Sequence, residues 1–442
     1  MPNEFTTRYA MRGESQDAVL HRVAGTLATD DAHFNKLHAL LKAGRFWPSG
    51  RILASVGTAK QATPVACFAS GPIDDSLDSI MLRAKEAAET MRMTGSMGYD
   101  FSTLRPSSAV TTRGAGAAGP VGFMQIFDAV GAVIRSTNHR NIVQMGVLRI
   151  DHPDIEAFIR SDYPTFHTAV AVTDEVMQHL TERRLFPLRF NGVSHALVDP
   201  QVLWETLMRQ VYTSGGPRVL FIDRINRLNA LACCETITTA NPWMEQPLPA
   251  WGSCPLGTFN IAEGSPSDDE VATAVEAMDN LIDKATYPLP QQATIARATR
   301  RIGLGVMGLG EAYSGQENFE VGLDDVLSRL RSSARKASEA LAETRGAYPM
   351  SPTTYVPQRN SHLLSLAPTA GISEAAGVSP GILGPSLRPM DQLEILGIAS
   401  KHVDGGIAYT VQVPQASPWS EFKNIFLAAH AMGLKSLHVE TF

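Results

Sequence analysis

Short apolar segments that alternate with helical stretches constrain the fold of this chain more than any other feature. TPVACFASG precedes DSLDSIMLRAKEAAETMRM, HTAVAVTDE precedes EVMQHLTERR, and RVLFIDRI is a further strand candidate. The later segment VLSRLRSSARKASEALAETRG has helical character, and nothing repeats at a fixed period. Strands that are repeatedly followed by helices are typical of α/β folds, in which many strands share one sheet or barrel. We therefore predict an α/β fold.

The first part of the chain is predicted to be helical. In AVLHRVAGTLA and HFNKLHALLKAG, apolar residues recur at helical spacing. Asp17 can cap the first helix, and Gly44 ends the second. No Ser/Gly linker divides the remaining chain. We predict an N-terminal helical segment, residues 1–45, followed by one α/β domain, residues 46–442.

The composition excludes several function classes. The chain has 442 residues, a formal net charge of -6 and a pI near 6.1, which argues against a nucleic-acid surface. No apolar run approaches the roughly 18 residues of a membrane span, and the polar N-terminus lacks a signal-peptide core. We expect a cytoplasmic protein. Its four cysteines show no zinc spacing, so no metal site is expected, and they would be thiols in a reducing cytosol.

The segment NPWMEQPLPAWGS, which begins at Asn241, is predicted to be an active-site loop. Its prolines and Gly252 exclude a long helix. Asn241 and Glu245 could hold a substrate between them. Trp243 stands between these two residues, where a small reactive side chain would be expected.

The segment LAPTAGISEAAGVSPGI has two interpretations. Thr369, Gly371 and Ser373 could present successive backbone N–H groups to a phosphate near a helix start. Alternatively, the segment is an ordinary strand-to-helix turn that Thr369 or Ser373 caps.

The cysteines and one histidine also leave alternatives open. Cys67 and Cys254 lie in short apolar segments that could be neighbouring strands. They are either buried small hydrophobes or, if brought together, a redox dithiol. Cys233 and Cys234 are interpreted as an incidental vicinal pair. His139 is either a ligand contact or a solvated loop residue.

Taken together, these segments resemble the catalytic subunit of ribonucleotide reductase, closest in style to the adenosylcobalamin-dependent class. The resemblance runs almost from end to end of the chain. The segments that carry it, in family order, are GRFWPSGRILASVGT, VACFASGPIDDS, TGSMGYDFSTLRP, GPVGFMQIFDAV, QMGVLRIDHPDIEAFI, VLFIDRINR, NPWMEQPLPAWGSCPLGTFNIA, RRIGLGVMGLGEAY, LAPTAGISEAAGVSPGI and VDGGIAYTVQVP.

The resemblance implies a ten-stranded α/β barrel with a central finger loop, here near residues 240–252. The family's tip reads Asn-Pro-Cys-Gly-Glu, and its cysteine becomes a thiyl radical. Asn241 and Glu245 align with the asparagine and the glutamate, and Cys67 and Cys254 align with the cysteines that reduce the substrate. The implied substrate and phosphate contacts are Ser49, Ala66, Pro368, Thr369, Ala370, Gly371, Ile372 and Ser373.

The chain departs from the family pattern at several of these motifs. Trp243 stands where the radical cysteine should be, and Met244 replaces the glycine. The phosphate turn loses its last hydroxyl, Ala66 replaces a polar residue, and the basic loop before QMG reads RSTNHRN. The cysteine pair that re-reduces the site in the family is not recognised near the C-terminus. No nucleotide-binding cone is recognised near the N-terminus, so control by ATP and dATP is not expected.

Three functions follow from this pattern. The first is an enzyme repurposed on the same barrel, which acts on a nucleotide-related or other small substrate. The second is a working ribonucleoside di- or triphosphate reductase, and the third is a non-catalytic nucleotide-binding or regulatory protein. An open pocket beside Glu245 favours the first, and a pocket filled by Trp243 favours the third. The resemblance also implies adenosylcobalamin as the cofactor of any radical chemistry and a homodimer through DSLDSIMLRAKEAAETMRM.

Overall fold

The structure is a computed structural model that describes residues 4–112, 114–134, 143–313, 319–352, 356–382 and 387–442. Its helices are α1 (Glu4–Tyr9), α2 (Gln16–Leu27), α3 (Asp31–Lys42), α4 (Gly50–Ser55), α5 (Leu77–Arg92), α6 (Gly119–Val133), α7 (Ile155–Ile159), α8 (Asp174–Glu182), α9 (Pro200–Ser214), α10 (Ile222–Arg227), α11 (Asp268–Lys284), α12 (Pro290–Thr299), α13 (Leu309–Tyr313), α14 (Phe319–Arg345), α15 (Ala370–Ala376), α16 (Pro389–Ser400) and α17 (Trp419–Ala431). Its strands are β1 (Phe46–Pro48), β2 (Cys67–Ala69), β3 (Ser96–Asp100), β4 (Gln144–Arg149), β5 (Phe166–Val172), β6 (Phe186–Phe190), β7 (Val193–Val198), β8 (Arg218–Phe221), β9 (Ile237–Ala240), β10 (Pro247–Pro249), β11 (Ser253–Cys254), β12 (Leu256–Asn260), β13 (Gly303–Met307), β14 (Val411–Val413), β15 (Ser436–Leu437) and β16 (Val439–Thr441).

The N-terminal region is helical, as predicted, but the helix start differs by two residues. Ser15, not Asp17, caps α2, because its hydroxyl accepts a hydrogen bond from Ala18 N at 3.2 Å. Asp17 lies within the first turn, where a carboxylate favours the helix dipole. The helices α1–α3 share one hydrophobic cluster with the rest of the chain. The division at residue 45 stays a prediction.

A seven-stranded sheet forms one side of the α/β domain. Its strand order is β11-β2-β3-β4-β5-β8-β15. The central strands β2, β3, β4, β5 and β8 pair in parallel, and the edge strands β11 and β15 are antiparallel to their neighbours. Parallel strands are typically buried on both faces, and β4, β5 and β8 are largely buried here. The α/β prediction is confirmed.

A second sheet contains β1, β12 and β13. Single parallel bridges, Leu304 to Leu364 and Leu366 to Ile407, extend it beyond β13. Within the described residues, the strand ladders do not join the two sheets into one closed sheet. The closed ten-stranded barrel therefore stays a prediction.

In the described part of the chain, no helix combines the length and the apolar character needed to cross a membrane.

Candidate active site

A β-hairpin formed by β9 and β10 carries the segment that was predicted to be the finger loop. The strands pair antiparallel, with Ala240 opposite Pro247, and residues 241–246 form the tip. Backbone bonds close the tip: Asn241 N donates to Gln246 O at 3.0 Å, and Met244 N donates to Asn241 O at 2.9 Å. Met244 has a φ of 66°, a conformation that favours glycine. Met244 thus adopts a glycine-like conformation at the position where the family pattern is expected to have glycine.

Two glycines fix the path of this hairpin through the domain. A Cβ at Gly98 of β3 would overlap the carbonyl oxygen of Ala240, and one at Gly406 would overlap that of Met244. Gly406 N also donates to Glu245 O at 2.8 Å. The hairpin thus lies between β3 and the segment around residue 406. The backbones can approach this closely because both neighbours have glycine at the point of contact.

Asn241 connects the tip to β2. Its Nδ2 donates to Cys67 Sγ at 3.0 Å, and its Oδ1 accepts from Gln246 N at 2.9 Å. Cys67 Sγ is also 3.6 Å from Glu245 Oε1, to which the thiol can donate. Asn241, Glu245 and Cys67, three of the predicted catalytic residues, are therefore in direct contact.

Cys67 and Cys254 lie on neighbouring strands, as predicted. They are directly opposite each other in the antiparallel pair of β2 and β11, and each is 1% exposed. Side chains at such positions lie about 4.5–5.5 Å apart at Cβ, within reach of a disulfide after a small adjustment. Burial raises the pKa of both thiols, and the nearby Glu245 raises it further. Both residues are protonated thiols at neutral pH.

Glu245 is a buried carboxyl group with an altered pKa. Its side chain is 1% exposed, and burial raises its pKa from 4.5 to about 7, although Asn241, Cys67 and Arg218 lower it in part. Its backbone oxygen accepts from Ser365 Oγ at 2.7 Å, which fixes the residue's position. Among the described residues, Oε2 has no hydrogen-bond partner. This oxygen is therefore available to a ligand.

An open cavity of about 360 Å³ adjoins this cluster. Of the predicted site residues, those that line it are Ser49, Ala66, Cys67, Trp243, Glu245, Pro368, Thr369, Gly371 and Ile372. The half-buried indole of Trp243 forms part of the wall and leaves this volume open. Asn241, Cys254, Ala370 and Ser373 do not line it.

Sequence reasoning missed several lining residues. Arg51 supplies a cation, Ser96 and Thr258 supply hydroxyls, and Tyr9 comes from the N-terminal helix α1. Arg51 lies two residues after Ser49 in GRFWPSGR, so its motif was a usable signal. Tyr9 carried no such signal, because only tertiary packing brings α1 to the cavity.

The predicted phosphate turn begins α15, which is seven residues long. Thr369 is 3% exposed, and its Oγ1 accepts from Gly381 N at 2.8 Å. Ser373 is 2% exposed, and its hydroxyl donates to Ala370 O at 3.1 Å. Both hydroxyls therefore hold the turn together, and neither caps α15 through its side chain. The phosphate role stays a prediction.

Two predictions concern residues outside the described ranges or away from the cavity. His139 and the loop RSTNHRN lie outside the described residues. Cys233 and Cys234 are exposed, with their sulfurs 2.8 Å apart, and they do not line the cavity.

Comparisons with known proteins agree with this geometry. The family model "Ribonucleotide reductase, barrel domain" matches residues 65–356. The vitamin B12-dependent ribonucleoside-diphosphate reductase of Mycobacterium tuberculosis (strain H37Rv) is 36% identical over 380 residues, which cover 78% of this chain and 52% of that protein. The protein of the same description from Thermoplasma acidophilum is 31% identical over 455 residues, covering 92% of this chain and 59% of that protein. The chain thus spans somewhat more than half the length of these curated relatives.

A solved structure supports the same fold. The alpha subunit of the class Id ribonucleotide reductase of Actinobacillus ureae superposes with a TM-score of 0.85, and the superposition covers 99% of this chain and 96% of that one. At 19% identity this likeness establishes the fold alone. Because the family model matches residues 65–356, which is most of the chain, the chain belongs to the ribonucleotide reductase family, and its relatives include the vitamin B12-dependent reductases.

Proposed function

We propose that this chain is a ribonucleotide-reductase-like enzyme whose site is repurposed for a nucleotide-related or other small substrate. The observation that carries the proposal is the open cavity of about 360 Å³, with Glu245, Cys67 and Trp243 on its wall. A non-catalytic protein whose indole fills the site would lack this space. The carboxyl group of Glu245 and the thiol of Cys67 are buried and in contact. This pair has no evident structural purpose, which favours a functional site.

Glu245 is the proposed general base. A carboxyl group with a pKa of about 7 transfers protons efficiently near neutral pH, because both of its forms are well populated. Its Oε2, which has no hydrogen-bond partner in the described part of the chain, would take a proton from a substrate hydroxyl. The indole of Trp243 would stack on a flat part of the substrate, such as a base.

Cys67 and Cys254 are the proposed reductant. When a dithiol closes to a disulfide, it releases two electrons and two protons, which a bound substrate can accept. Their position opposite each other on β2 and β11 supports this role. Their raised pKa values keep the protons on sulfur until the substrate reacts.

Adenosylcobalamin would initiate radical chemistry in relatives that depend on vitamin B12. In the family pattern, that chemistry needs a thiol at the finger tip. The side chain at this position is the indole of Trp243, which has no weak S–H bond. The tip therefore does not fit this use of the cofactor, and we propose no step through it. We also propose action in the cytoplasm, where all four cysteines would be thiols.

The test is an anaerobic incubation of the purified protein with a dithiol and each ribonucleoside di- and triphosphate, with and without adenosylcobalamin. Every product is identified by mass. We expect a product that forms without the cofactor and falls by roughly 100-fold or more in Glu245→Gln, the usual loss when a general base is removed. The matched control is Glu263→Gln, an exposed glutamate, which should have no effect.

Formation of a deoxynucleotide at a catalytic rate with adenosylcobalamin would refute repurposing and favour a working reductase. Tight nucleotide binding without any product would favour the non-catalytic alternative. Trp243→Cys gives a second comparison, because it restores a thiol at the tip. We expect cofactor-dependent reduction in this variant only, and equal reduction by the unmodified chain would contradict the role given to Trp243.

A homodimer through α5 is part of the same proposal. Leu77, Met81 and Leu82 of this helix are 63%, 48% and 45% exposed, and Val133 at the end of α6 is 77% exposed. Exposed apolar side chains that meet in one patch mark protein interfaces, and we propose that these residues form such a patch. Sedimentation should give twice the chain mass of 47.7 kDa, and Met81→Glu should reduce it to one chain. A single-chain mass at every concentration would exclude the dimer.

A further inference from the structure

A second cavity, of about 250 Å³, shares Trp243 with the first. The indole and residues 367–369 border both cavities, so they form the wall between them. The second cavity is lined on its other sides by Arg218, Tyr409, Thr410 and His438. None of these four residues lines the first cavity.

Arg218 is a buried cation that has no counter-charge in contact among the described residues. It is the first residue of β8 and is 7% exposed. One guanidinium N–H group donates to the carbonyl oxygen of Pro242 at the finger tip. Within the described part of the chain, no carboxylate forms an ion pair with it; Glu440 and Glu245 act on it only from a distance. A buried charge in this state is costly unless something else pairs with it.

The neighbouring polar groups already have partners. The Nδ1 atom of His438 is 2.8 Å from Thr410 Oγ1, and its Nε2 is 3.2 Å from Gly215 O, with Glu440 Oε1 3.4 Å away. Burial, with Arg218 nearby, lowers the pKa of His438 to about 3, so the ring is neutral. The ring therefore donates to Gly215 O and accepts from Thr410. Tyr409 donates to Gln392 at 3.2 Å. The remaining charged donor on the cavity wall is Arg218.

We propose that the second cavity binds an oxyanion, the phosphate or carboxylate group of a small molecule, through the guanidinium of Arg218. The guanidinium has five N–H donors in a planar fork that matches such groups, and the Pro242 carbonyl accounts for one. The cavity volume suits a small ion or a terminal group rather than a whole nucleotide. This site does not depend on the reaction proposed for the first cavity.

The test is calorimetric titration of the full chain with inorganic phosphate and, separately, with acetate. Tryptophan fluorescence is recorded in parallel. The chain has five tryptophans, so the same titration of Trp243→Phe shows how much of the fluorescence change comes from Trp243. We expect saturable one-site binding that weakens by about tenfold or more in Arg218→Met, as for the loss of a charge-assisted hydrogen bond. Arg218→Lys should retain part of the affinity. Arg209→Met, at an exposed arginine on α9, should retain all of it.

A second variant keeps the test valid if Arg218→Met fails to fold. Ala408→Leu adds volume to the cavity wall and keeps the guanidinium, so it should also weaken binding by about tenfold or more. If ADP displaces bound phosphate, the ligand of the cavity is the phosphate group of a nucleotide. If ADP and phosphate bind at the same time, the ligand is free phosphate. Both results support the site. Absence of saturable binding, or unchanged affinity in Arg218→Met or Ala408→Leu, would overturn the proposal.

Discussion

Glu245 should make the stability of the folded protein depend on pH. Burial raises the pKa of its carboxyl group from 4.5 to about 7, so the folded state keeps a proton that the unfolded chain releases at lower pH. The stabilisation from this proton is fully present below pH 4.5 and is lost as pH rises through 7. One unit of pKa difference corresponds to about 1.36 kcal/mol, so the loss is about 3 kcal/mol between about pH 4.5 and about pH 8.

The assay is urea unfolding of the unmodified chain and of Glu245→Gln at a series of pH values. Glutamine has nearly the same shape and does not titrate. We therefore expect the free energy of unfolding of Glu245→Gln to rise relative to the unmodified chain, by about 3 kcal/mol from the acidic to the basic end. The change is a large fraction of the roughly 5–15 kcal/mol that stabilises a typical domain.

The comparison with Glu263→Gln isolates the effect of burial. Glu263 lies on an exposed loop, so its variant should track the unmodified chain across the series. A constant difference between Glu245→Gln and the unmodified chain would refute the reasoning, because it would mean that Glu245 titrates as it does in the unfolded chain.

Three further results should follow from the structure. Gly98→Ala should lower the free energy of unfolding in urea by roughly 1–3 kcal/mol, because the added Cβ would overlap the Ala240 carbonyl oxygen. An unchanged urea midpoint would mean that the hairpin of β9 and β10 can shift. Cys233 and Cys234 should react rapidly with a thiol reagent in the native protein, because they are exposed. Cys67 and Cys254 should react only in urea, because they are buried, and rapid reaction of all four thiols would contradict this. Asp279→Ala should cost about 3 kcal/mol, because it removes a buried carboxylate that contacts Arg300, Arg345 and Arg359. Arg300 and Arg345 keep Asp283 and Glu276 as partners, so Arg359 is the arginine that loses its ion pair. A near-neutral result in thermal unfolding would show that this network is dispensable.

The secondary structure around the site was largely predictable from local patterns. The segments that carry Cys67 and Cys254 are apolar and short, and they do form neighbouring strands. The prolines around Asn241 excluded a helix, and a hairpin stands there. These features depend on backbone preferences of nearby residues, which the sequence displays directly.

Which side chains face the cavity was less predictable, because tertiary contacts decide it. Thr369 and Ser373 are hydroxyl residues in one turn, but only Thr369 lines the cavity, and both hydroxyls bond within the protein. An arginine at the start of a strand, such as Arg218, has the appearance of an exposed boundary residue. It is buried because the finger tip, distant in sequence, covers it.

The glycine contacts at Gly98 and Gly406 have a consequence for how such a site can evolve. They fix the backbone on both sides of position 243, at Ala240 and Met244, without using the side chain of residue 243 itself. Mutation at that single codon can therefore exchange one chemical group for another while the scaffold stays in place. A lineage could lose one reaction and acquire another without passing through an unfolded intermediate, and a protein engineer could explore the same position by saturation mutagenesis.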